Sequence, residues 1–358
     1  MWPDRRLIDL LKIEHPILLA PMAGAMDVDL AVGAAKGGAL AALPAAMLTP
    51  DRLREQVETF RAATRHPLNL NFFCHTPPVP SNAREHAWRE RLQSYYAELA
   101  IDPAAPIPSS NRAPFDVAFC AVVEDLRPEV VSFHFGLPEP LLLKRVKAAG
   151  CVVLSSATTV AEARWLEERG VDAVTAQGAE AGGHRGIFLT DNLAGQAGSF
   201  ALIPQIADAV KVPVIATGAV TDARGIAAAM VLGAAGVQLG SAYLHCPESK
   251  ISPMHRSALK TVADDGTALT NVMSGRPARG IVNRLIREVG PISAVAPEFP
   301  LASGALAPLR AKAEAQGSGD FSPMWAGQAA ALGRAEPAEA LTQRLAQEAQ
   351  ALLGTMKR

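Results

Sequence analysis

The chain has 358 residues, enough for an α/β barrel of about 250 residues with a further elaboration of about 100. Hydrophobic residues make up 49% and charged residues 19%, a composition that excludes a disordered chain. The formal net charge of −1 provides no strong field for nucleic acid or an anionic membrane, so neither is expected as a partner.

The cysteines predict neither a metal site nor an oxidised, secreted protein. They lie far apart without Cys-x-x-Cys spacing, at Cys74, Cys120, Cys151 and Cys246. Residues 1–11 mix charges among apolar side chains and lack a signal-peptide core. Residues 225–246 contain no Asp, Glu, Lys or Arg, but Gly233 and Gly236 interrupt them, which predicts a helix and a buried strand rather than a membrane span. We therefore expect a reduced, cytoplasmic protein.

Short apolar runs alternate with helical patterns along the chain. The predicted strands are Ile17–Ala20, Ala39–Leu43, Leu68–Phe73, Val130–Phe135, Cys151–Ser155, Ala173–Gln177, Val214–Thr217 and Val237–Gly240. The predicted helices between them are Pro50–Ala63, Pro138–Ala149, Thr159–Arg169 and Asp222–Leu232. This alternation predicts parallel strands with helical crossovers, closed into a (β/α)8 TIM-type barrel. An open, doubly wound sheet is the alternative, because a count of strands does not prove closure.

Two long segments interrupt the repeat after the third and eighth strands. The first, residues 74–114, contains a predicted helix over Asn82–Leu99 and a Pro-rich loop from Asp102 to Pro114. The second, residues 247–327, is predicted to form a smaller, partly helical lid or substrate subdomain. We expect residues 1–246 to form the barrel and a final helix within 328–358, patterned over Pro337–Met356, to complete it.

Polar side chains share one face near the end of several predicted strands. Side chains alternate faces along a strand, so residues two apart point the same way. The residues aligned by this rule are Asn69 with Asn71, Ser132 with His134, Thr175 with Gln177, and Gln238 alone. Buried polar groups need hydrogen-bond partners, which predicts a polar ligand at the barrel mouth; an internal network among these side chains is the alternative.

Glycine-rich loops follow the last three predicted barrel strands. Residues 217–220 and 239–242 lie where barrels of this kind bind phosphate. The loop of residues 179–186 contains His184, which can gain or lose a proton near neutral pH, and Arg185, whose fixed positive charge could hold an anion. The alternative is that His184 is exposed to solvent and has no role in the site. Surface positions beside charged residues are predicted for His66, His86 and His255.

These motifs together resemble those of the nitronate monooxygenases, formerly called 2-nitropropane dioxygenases. The resembling stretches are residues 20–24 (APMAG), 69–73 (NLNFF), 132–136 (SFHFG), 177–186 (QGAEAGGHRG) and 238–242 (QLGSA). The resemblance implies a flavin mononucleotide (FMN) enzyme on a (β/α) barrel. It would oxidise small-molecule alkyl nitronates, or nitroalkanes, with O2 to carbonyl compounds and nitrite.

The resemblance also assigns roles to individual residues. It implies that Met22 lies against the isoalloxazine, that Asn71 and Gln177 hydrogen-bond the flavin, and that His184 is the active-site histidine. The whole implied cofactor set is Met22, Asn71, Gln177, Gly182, Gly218, Gln238, Leu239, Gly240 and Ser241. His134 and Arg185 are weaker candidates for substrate contact, and no metal is expected.

The chain departs from the family pattern in the substrate region. Family active sites also carry Tyr and Lys residues from the two long loops, whereas residues 247–358 contain no Tyr and residues 298–304 read EFPLASG. Ala219 stands where family members often have Gly. Two other functions stay open: an NAD(P)H-dependent flavin reductase acting on a quinone or enoyl thioester, and a non-catalytic flavin-binding protein. The sequence also leaves open whether the chain forms a homodimer, and whether His184 acts as a cationic anchor or as a neutral base.

Overall fold

The computed structural model describes residues 2–102, 108 and 112–355, with two sheets. The first has eight parallel strands in the order β1-β9-β8-β6-β5-β4-β3-β2, and the second has three antiparallel strands in the order β10-β11-β7. The strands are β1 Ile17–Leu19, β2 Ala41–Pro44, β3 Leu68–Phe73, β4 Val130–His134, β5 Val152–Ala157, β6 Ala173–Gln177, β7 Gly183–His184, β8 Val214–Thr217, β9 Gly236–Leu239, β10 Thr267–Thr270 and β11 Ala278–Ile281.

The eight-stranded sheet closes into a barrel. β1 pairs with β9 on one side, and on the other Leu18 forms a parallel bridge with Leu40, the residue before β2. The Leu19 amide donates to the Leu40 carbonyl at 3.0 Å, and the Leu40 amide donates to Ile17 at 2.9 Å. The predicted (β/α)8 barrel is therefore confirmed and the open sheet is excluded. Every predicted barrel strand is present, with bounds shifted by at most two residues.

Helices cover the outside of the barrel and the two long segments. They are α1 Arg6–Leu11, α2 Val28–Lys36, α3 Pro50–Ala63, α4 Asn82–Glu98, α5 Val117–Leu126, α6 Pro140–Ala148, α7 Val160–Glu168, α8 Ser199–Ala209, α9 Ala223–Val231, α10 Ser241–Leu244, α11 Pro253–Thr261, α12 Arg284–Val289, α13 Ala302–Ala315 and α14 Ala338–Thr355. Among the described helices, none combines the length and apolar character that crossing a bilayer requires.

Local sequence signals explain where these helices begin. Thr49 caps α3 by accepting from the Arg52 amide at 3.3 Å, and Pro50 occupies the first helical position. α6 begins two residues later than predicted, at Pro140. Much of the predicted Pro-rich loop, residues 103–107 and 109–111, lies outside the described residues, as does residue 356 at the end of the predicted final helix.

One end of the barrel is filled and the other is open. Apolar side chains pack together at the amino end with α1, and they include Leu7, Leu11, Leu18, Leu40, Val130, Leu154 and Ile215. The outward strand faces, such as Leu70 and Phe72, pack against the surrounding helices in the main core. Ligand access is therefore confined to the carboxyl ends of the strands, where barrel enzymes build their sites.

A second hydrophobic cluster forms above the open end. It joins α4 to α12 and α13, with Trp88 and Tyr96 packed beside Leu306 and Leu309. Trp88 Nε1 donates to the carbonyl of Ala302 at 3.1 Å. The helix of the first long segment thus shares a core with the second, whereas the predicted division had assigned it to the barrel. α14 packs outside the barrel against α2 and α9.

Candidate active site

A cavity of about 520 Å³ opens at the carboxyl ends of the strands. This volume lies in the range of about 300–1,000 Å³ usual for ligand and cofactor sites. Six of the aligned polar residues line it: Asn71, Ser132, His134, Thr175, Gln177 and Gln238. Asn69 lies below this layer, where its Oδ1 is buried and has no partner among the described residues. The alternation of faces thus correctly predicted which strand residues meet at the mouth.

The glycine loops form one edge of the cavity. Gly218 and Ala219 have φ values of 111° and 56°, and the main-chain N–H groups of both have no hydrogen-bond partner among the described residues. Gly240 and Ser241 line the same cavity. Leu239 does not: its buried side chain belongs to the core, because it follows Gln238 on the opposite strand face. The predicted cofactor contact of Leu239 is therefore limited to its main chain.

Gly182 lies where two segments nearly touch. A Cβ there would lie 2.5 Å from the Gly327 nitrogen and 2.6 Å from the Ala326 carbonyl carbon, so only glycine fits without a shift. The Gly327 amide also donates to Ser241 Oγ at 2.9 Å. The end of the lid segment therefore meets the loop after β6 at Gly182 and the start of α10 at Ser241, beside the predicted phosphate edge.

Arg185 is not a substrate group in this structure. It is fully buried and absent from the cavity lining. Its guanidinium donates to the carbonyls of Gly178 at 2.6 Å and Gln177 at 2.8 Å, and to the Gln196 side chain. Burial lowers the pKa of Arg185 to about 10, so it stays charged at neutral pH. The prediction of an exposed anion holder is wrong, because the side chain turns inward and braces its own loop.

His184 sits between the barrel and the lid. It belongs to β7, which pairs with β11 so that His184 lies opposite Ala278. Its ring is surrounded by aromatic residues, with centroids 5.1 Å from Phe299, 5.4 Å from Trp325 and 6.1 Å from Phe73. Phe299 occupies the loop that differs from the family pattern. The histidine that sequence reasoning singled out therefore lines the cavity within an apolar wall.

The electrostatics keep His184 neutral. Burial lowers the pKa of His184 well below its usual value, and the cationic side chains of Arg112 and Arg276 lower it further. The neighbouring histidines His134 and His75 act in the same direction. Within the described part of the chain, no carboxylate offsets these effects on the pKa of His184. The imidazole is consequently unprotonated at neutral pH in the protein without ligand.

His134 is a structural partner of the His184 loop. Its Nε2 faces the His184 carbonyl oxygen at 3.1 Å, and its Nδ1 faces Ser156 Oγ at 2.6 Å. A carbonyl can only accept, so Nε2 carries the proton and Nδ1 accepts from the serine. Burial lowers the pKa of His134 to about 3. Both ring nitrogens are thus engaged, and His134 has none left to act on a substrate.

Residues that sequence reasoning missed complete the site. Ser274 Oγ lies 2.9 Å from His184 Nε2, and Trp325 lines the cavity. The buried carboxylate of Glu162 accepts from the Phe188 and Leu189 amides at 2.7 and 3.1 Å, which anchors the far end of the His184 loop. A Ser-Gly turn at 274–275 was the one signal for Ser274, and His255, predicted at the surface, is buried on the cavity wall.

The residues present fit a flavin with one phosphate. Asn71 donates from Nδ2 to Ser132 Oγ at 2.9 Å, and its Oδ1 stays open to the cavity for a ligand donor. The turn at Gly218 and Ala219 offers main-chain N–H groups to an anion. A polar barrel floor, a turn whose amides lack a partner in the described chain, and an apolar wall around His184 suit the polar, anionic and apolar parts of a flavin nucleotide.

Comparison with known proteins agrees with this geometry. The family model described as nitronate monooxygenase matches residues 4–348. A nitronate monooxygenase of Pseudomonas aeruginosa strain PAO1 is 39% identical over 345 residues, covering 96% of this chain and 98% of that protein. A crystal structure of nitroalkane oxidase from Streptomyces ansochromogenes has a TM-score of 0.89 at 35% identity and covers 99% of this chain and 100% of that one.

A more distant similarity concerns the fold alone. FabK from Thermotoga maritima has a TM-score of 0.75 at 24% identity, covering 100% of this chain and 99% of that chain. The family match, by contrast, extends over nearly the whole chain, and it includes both the barrel and the lid segment. The chain belongs to the nitronate monooxygenase family, whose members are flavin-dependent oxidoreductases.

Proposed function

We propose that this protein binds FMN and oxidises alkyl nitronates with O2 to a carbonyl compound and nitrite. The observation that carries the proposal is one continuous cavity that joins the polar barrel floor, the turn at Gly218 and the imidazole of His184. When bound, the flavin supplies the electron-transfer chemistry. The chain binds and orients the reactants.

The cofactor side of the proposal rests on the barrel strands. Asn71 and Gln177 would contact the polar edge of the flavin, and Met22 would lie against its ring system. Gly218, Gly240 and Ser241 would surround the single phosphate, and Gly182 would let the loop approach closely. One anion-binding turn favours FMN over FAD, and mass spectrometry of the released cofactor tests this. A colourless protein that FMN does not reconstitute would contradict the proposal.

The substrate side rests on His184. A neutral imidazole in an apolar aromatic wall suits removal of a proton from a nitroalkane better than electrostatic binding of a nitronate anion. The apolar ring of Trp325, which lines the cavity 5.4 Å from the His184 ring, suits the alkyl substituent of the substrate. We therefore propose activity on neutral nitroalkanes as well as on nitronates.

Anaerobic mixing distinguishes this function from the other two. Nitronate reduces the flavin if the protein is a nitronate monooxygenase, and NAD(P)H reduces it if the protein is a flavin reductase. Neither does so if the protein only binds flavin. The similarity to FabK concerns the fold and provides no evidence from the site for a reductase function. We therefore expect nitronate, and not NAD(P)H, to bleach the flavin absorbance.

A further inference from the structure

We propose that Ser274 is a positioning residue that selects the tautomer of His184 and leaves its Nδ1 as the proton acceptor. This inference rests on the proposed function, since it concerns how the same site takes a proton from a nitroalkane. It begins from the hydrogen bond between His184 Nε2 and Ser274 Oγ, which is 2.9 Å long.

The direction of that bond follows from the second contact of the serine. Ser274 Oγ also lies 3.3 Å from the Arg276 carbonyl oxygen, to which it donates. A hydroxyl has one proton and two lone pairs, so a serine that donates to a carbonyl accepts from the imidazole. The proton of neutral His184 is then on Nε2.

The other ring nitrogen is left for chemistry. Nδ1 of His184 has no hydrogen-bond partner in the described part of the chain and is not among its fully enclosed polar atoms. The residue lines the cavity, whereas Ser274 is only 3% exposed and lies behind it. The lone pair of Nδ1 is therefore the free basic position of this side chain.

The lid holds both ends of the bond in one rigid unit. His184 is in β7, whose partner β11 begins four residues after Ser274. The Arg185 amide donates to the Pro277 carbonyl at 2.8 Å, and the Gly275 amide donates to Asn271 at 2.7 Å. Gly275 has φ 92°, and a Cβ there would lie 2.2 Å from the Pro297 carbonyl oxygen. The turn therefore packs directly against the main chain at Pro297. The serine is thus fixed relative to the imidazole.

The surroundings provide no competing control of the tautomer. The charged and titratable groups that face His184 are Arg112, Arg276, His134 and His75, and each of them lowers its pKa. Among the described residues, none of these groups forms a hydrogen bond with His184 Nδ1, so none draws the proton there. Loss of the Ser274 hydroxyl should therefore leave the ring neutral but free to exchange its two tautomers.

Nitrogen-15 NMR of the FMN-loaded protein with labelled histidine tests the tautomer directly. The His184 signals are assigned by their loss in His184→Ala. We expect an unprotonated, pyridine-type Nδ1 and a protonated Nε2 in the unaltered protein, and averaged signals in Ser274→Ala. A protonated Nδ1 in the unaltered protein would overturn the inference without any need for a variant to fold.

Kinetics provide the second test. Ser274→Ala should lower kcat for a neutral nitroalkane about three- to tenfold, the loss of one hydrogen bond, and leave turnover of the preformed nitronate nearly unchanged. Ser274→Thr, which keeps the hydroxyl, should restore nitroalkane turnover. Ser249→Ala is the matched control, because Ser249 also has a buried hydroxyl that donates to a carbonyl, that of Leu244, and does not itself line the cavity.

The outcomes separate this inference from the proposed function. Equal losses on both substrates, or no loss on either, would overturn the role of Ser274 while the enzyme remains active. Absence of nitronate oxidation by the unaltered holoenzyme would refute the proposed function instead, and the NMR result would still decide the tautomer.

Discussion

The side chain of Gln177 spans the loop that carries His184. Its Nε2 donates to the His184 carbonyl oxygen at 2.9 Å, and its Oε1 accepts from the Gly186 amide at 2.7 Å. The resemblance assigned Gln177 to the flavin, and the residue does line the cavity. It therefore links the cofactor floor to the candidate catalytic loop, with one Nε2 hydrogen left for a ligand.

Replacement of Asn71 or Gln177 by Ala should weaken FMN binding about tenfold or more, because a buried polar edge of the flavin would lose its partner. Gln177→Ala should also lower nitronate turnover, since it releases the loop at His184. Fluorescence titration of the apoprotein with FMN measures the affinity. Asn69→Ala is the control from the same strand, below the cavity. Unchanged affinity in both cavity variants would contradict the assignment.

His184→Ala should retain FMN and the fold but lose turnover by about 10²–10⁴-fold, the usual contribution of general acid–base catalysis. If His184 is a base, turnover of the neutral nitroalkane should fall far more than turnover of its preformed nitronate, which has already lost the proton. Steady-state rates on both substrates make the comparison. Full activity on both would remove His184 from the mechanism.

Arg185→Ala should destabilise the protein and not specifically impair substrate binding. The substitution removes the guanidinium donor from the Gln177 carbonyl and one of two donors from the Gly178 carbonyl, which keeps the Ala181 amide at 3.1 Å. A buried group left unsatisfied costs about 1–3 kcal/mol. Urea unfolding measures the loss, and the KM for nitronate measures binding. Exposed Arg52, replaced in the same way, should change the free energy of unfolding by less than about 1 kcal/mol. A large rise in KM with unchanged stability would restore the anion-holding role.

Gly182→Ala should reduce FMN content and thermal stability together. The new Cβ would overlap the main chain at Ala326 and Gly327, so the loop or the lid must move. Overpacking of this kind costs about 1–3 kcal/mol. Gly354→Ala in α14, where a Cβ meets open space, is the control. The melting temperature and the flavin-to-protein absorbance ratio report the effect. Equal values of both quantities in Gly182→Ala and Gly354→Ala would show that the close approach at Gly182 is unimportant.

Acidification below about pH 6.5 should reduce the free energy of unfolding. Burial lowers the pKa of His75 and His255 to about 4 and that of His134 to about 3, so these residues are neutral when folded and bind protons when unfolded. Between its pKa in the unfolded state and its lower pKa in the folded state, each histidine reduces the free energy of unfolding by up to about 1.4 kcal/mol for every pH unit of acidification. Urea unfolding at saturating FMN should show a shallower pH slope in His255→Gln. Replacement of exposed His66 is the control, and equal slopes would contradict the buried, neutral state of His255.

The barrel and the polar residues of its floor could be predicted from local sequence patterns. Alternating apolar runs and capped helices predict the (β/α) order, because burial between parallel strands and covering helices imposes that pattern. The period of two places Asn71, Ser132, Thr175 and Gln177 on one face, and closure of the sheet brings those faces together. These features depend on local geometry, which neighbouring residues encode.

The surroundings of His184, by contrast, depend on contacts between residues that are far apart in the sequence. Arg185 adjoins it in sequence, yet turns into the protein, whereas Ser274 lies 90 positions away and contacts the imidazole. Pairing of β7 with β11 creates this arrangement across a long connection. No local pattern encodes such a contact, because it depends on how the lid docks on the barrel. A side chain such as Arg185 turns toward the buried carbonyl groups that need a hydrogen-bond donor, and the position of those groups depends on the folded chain.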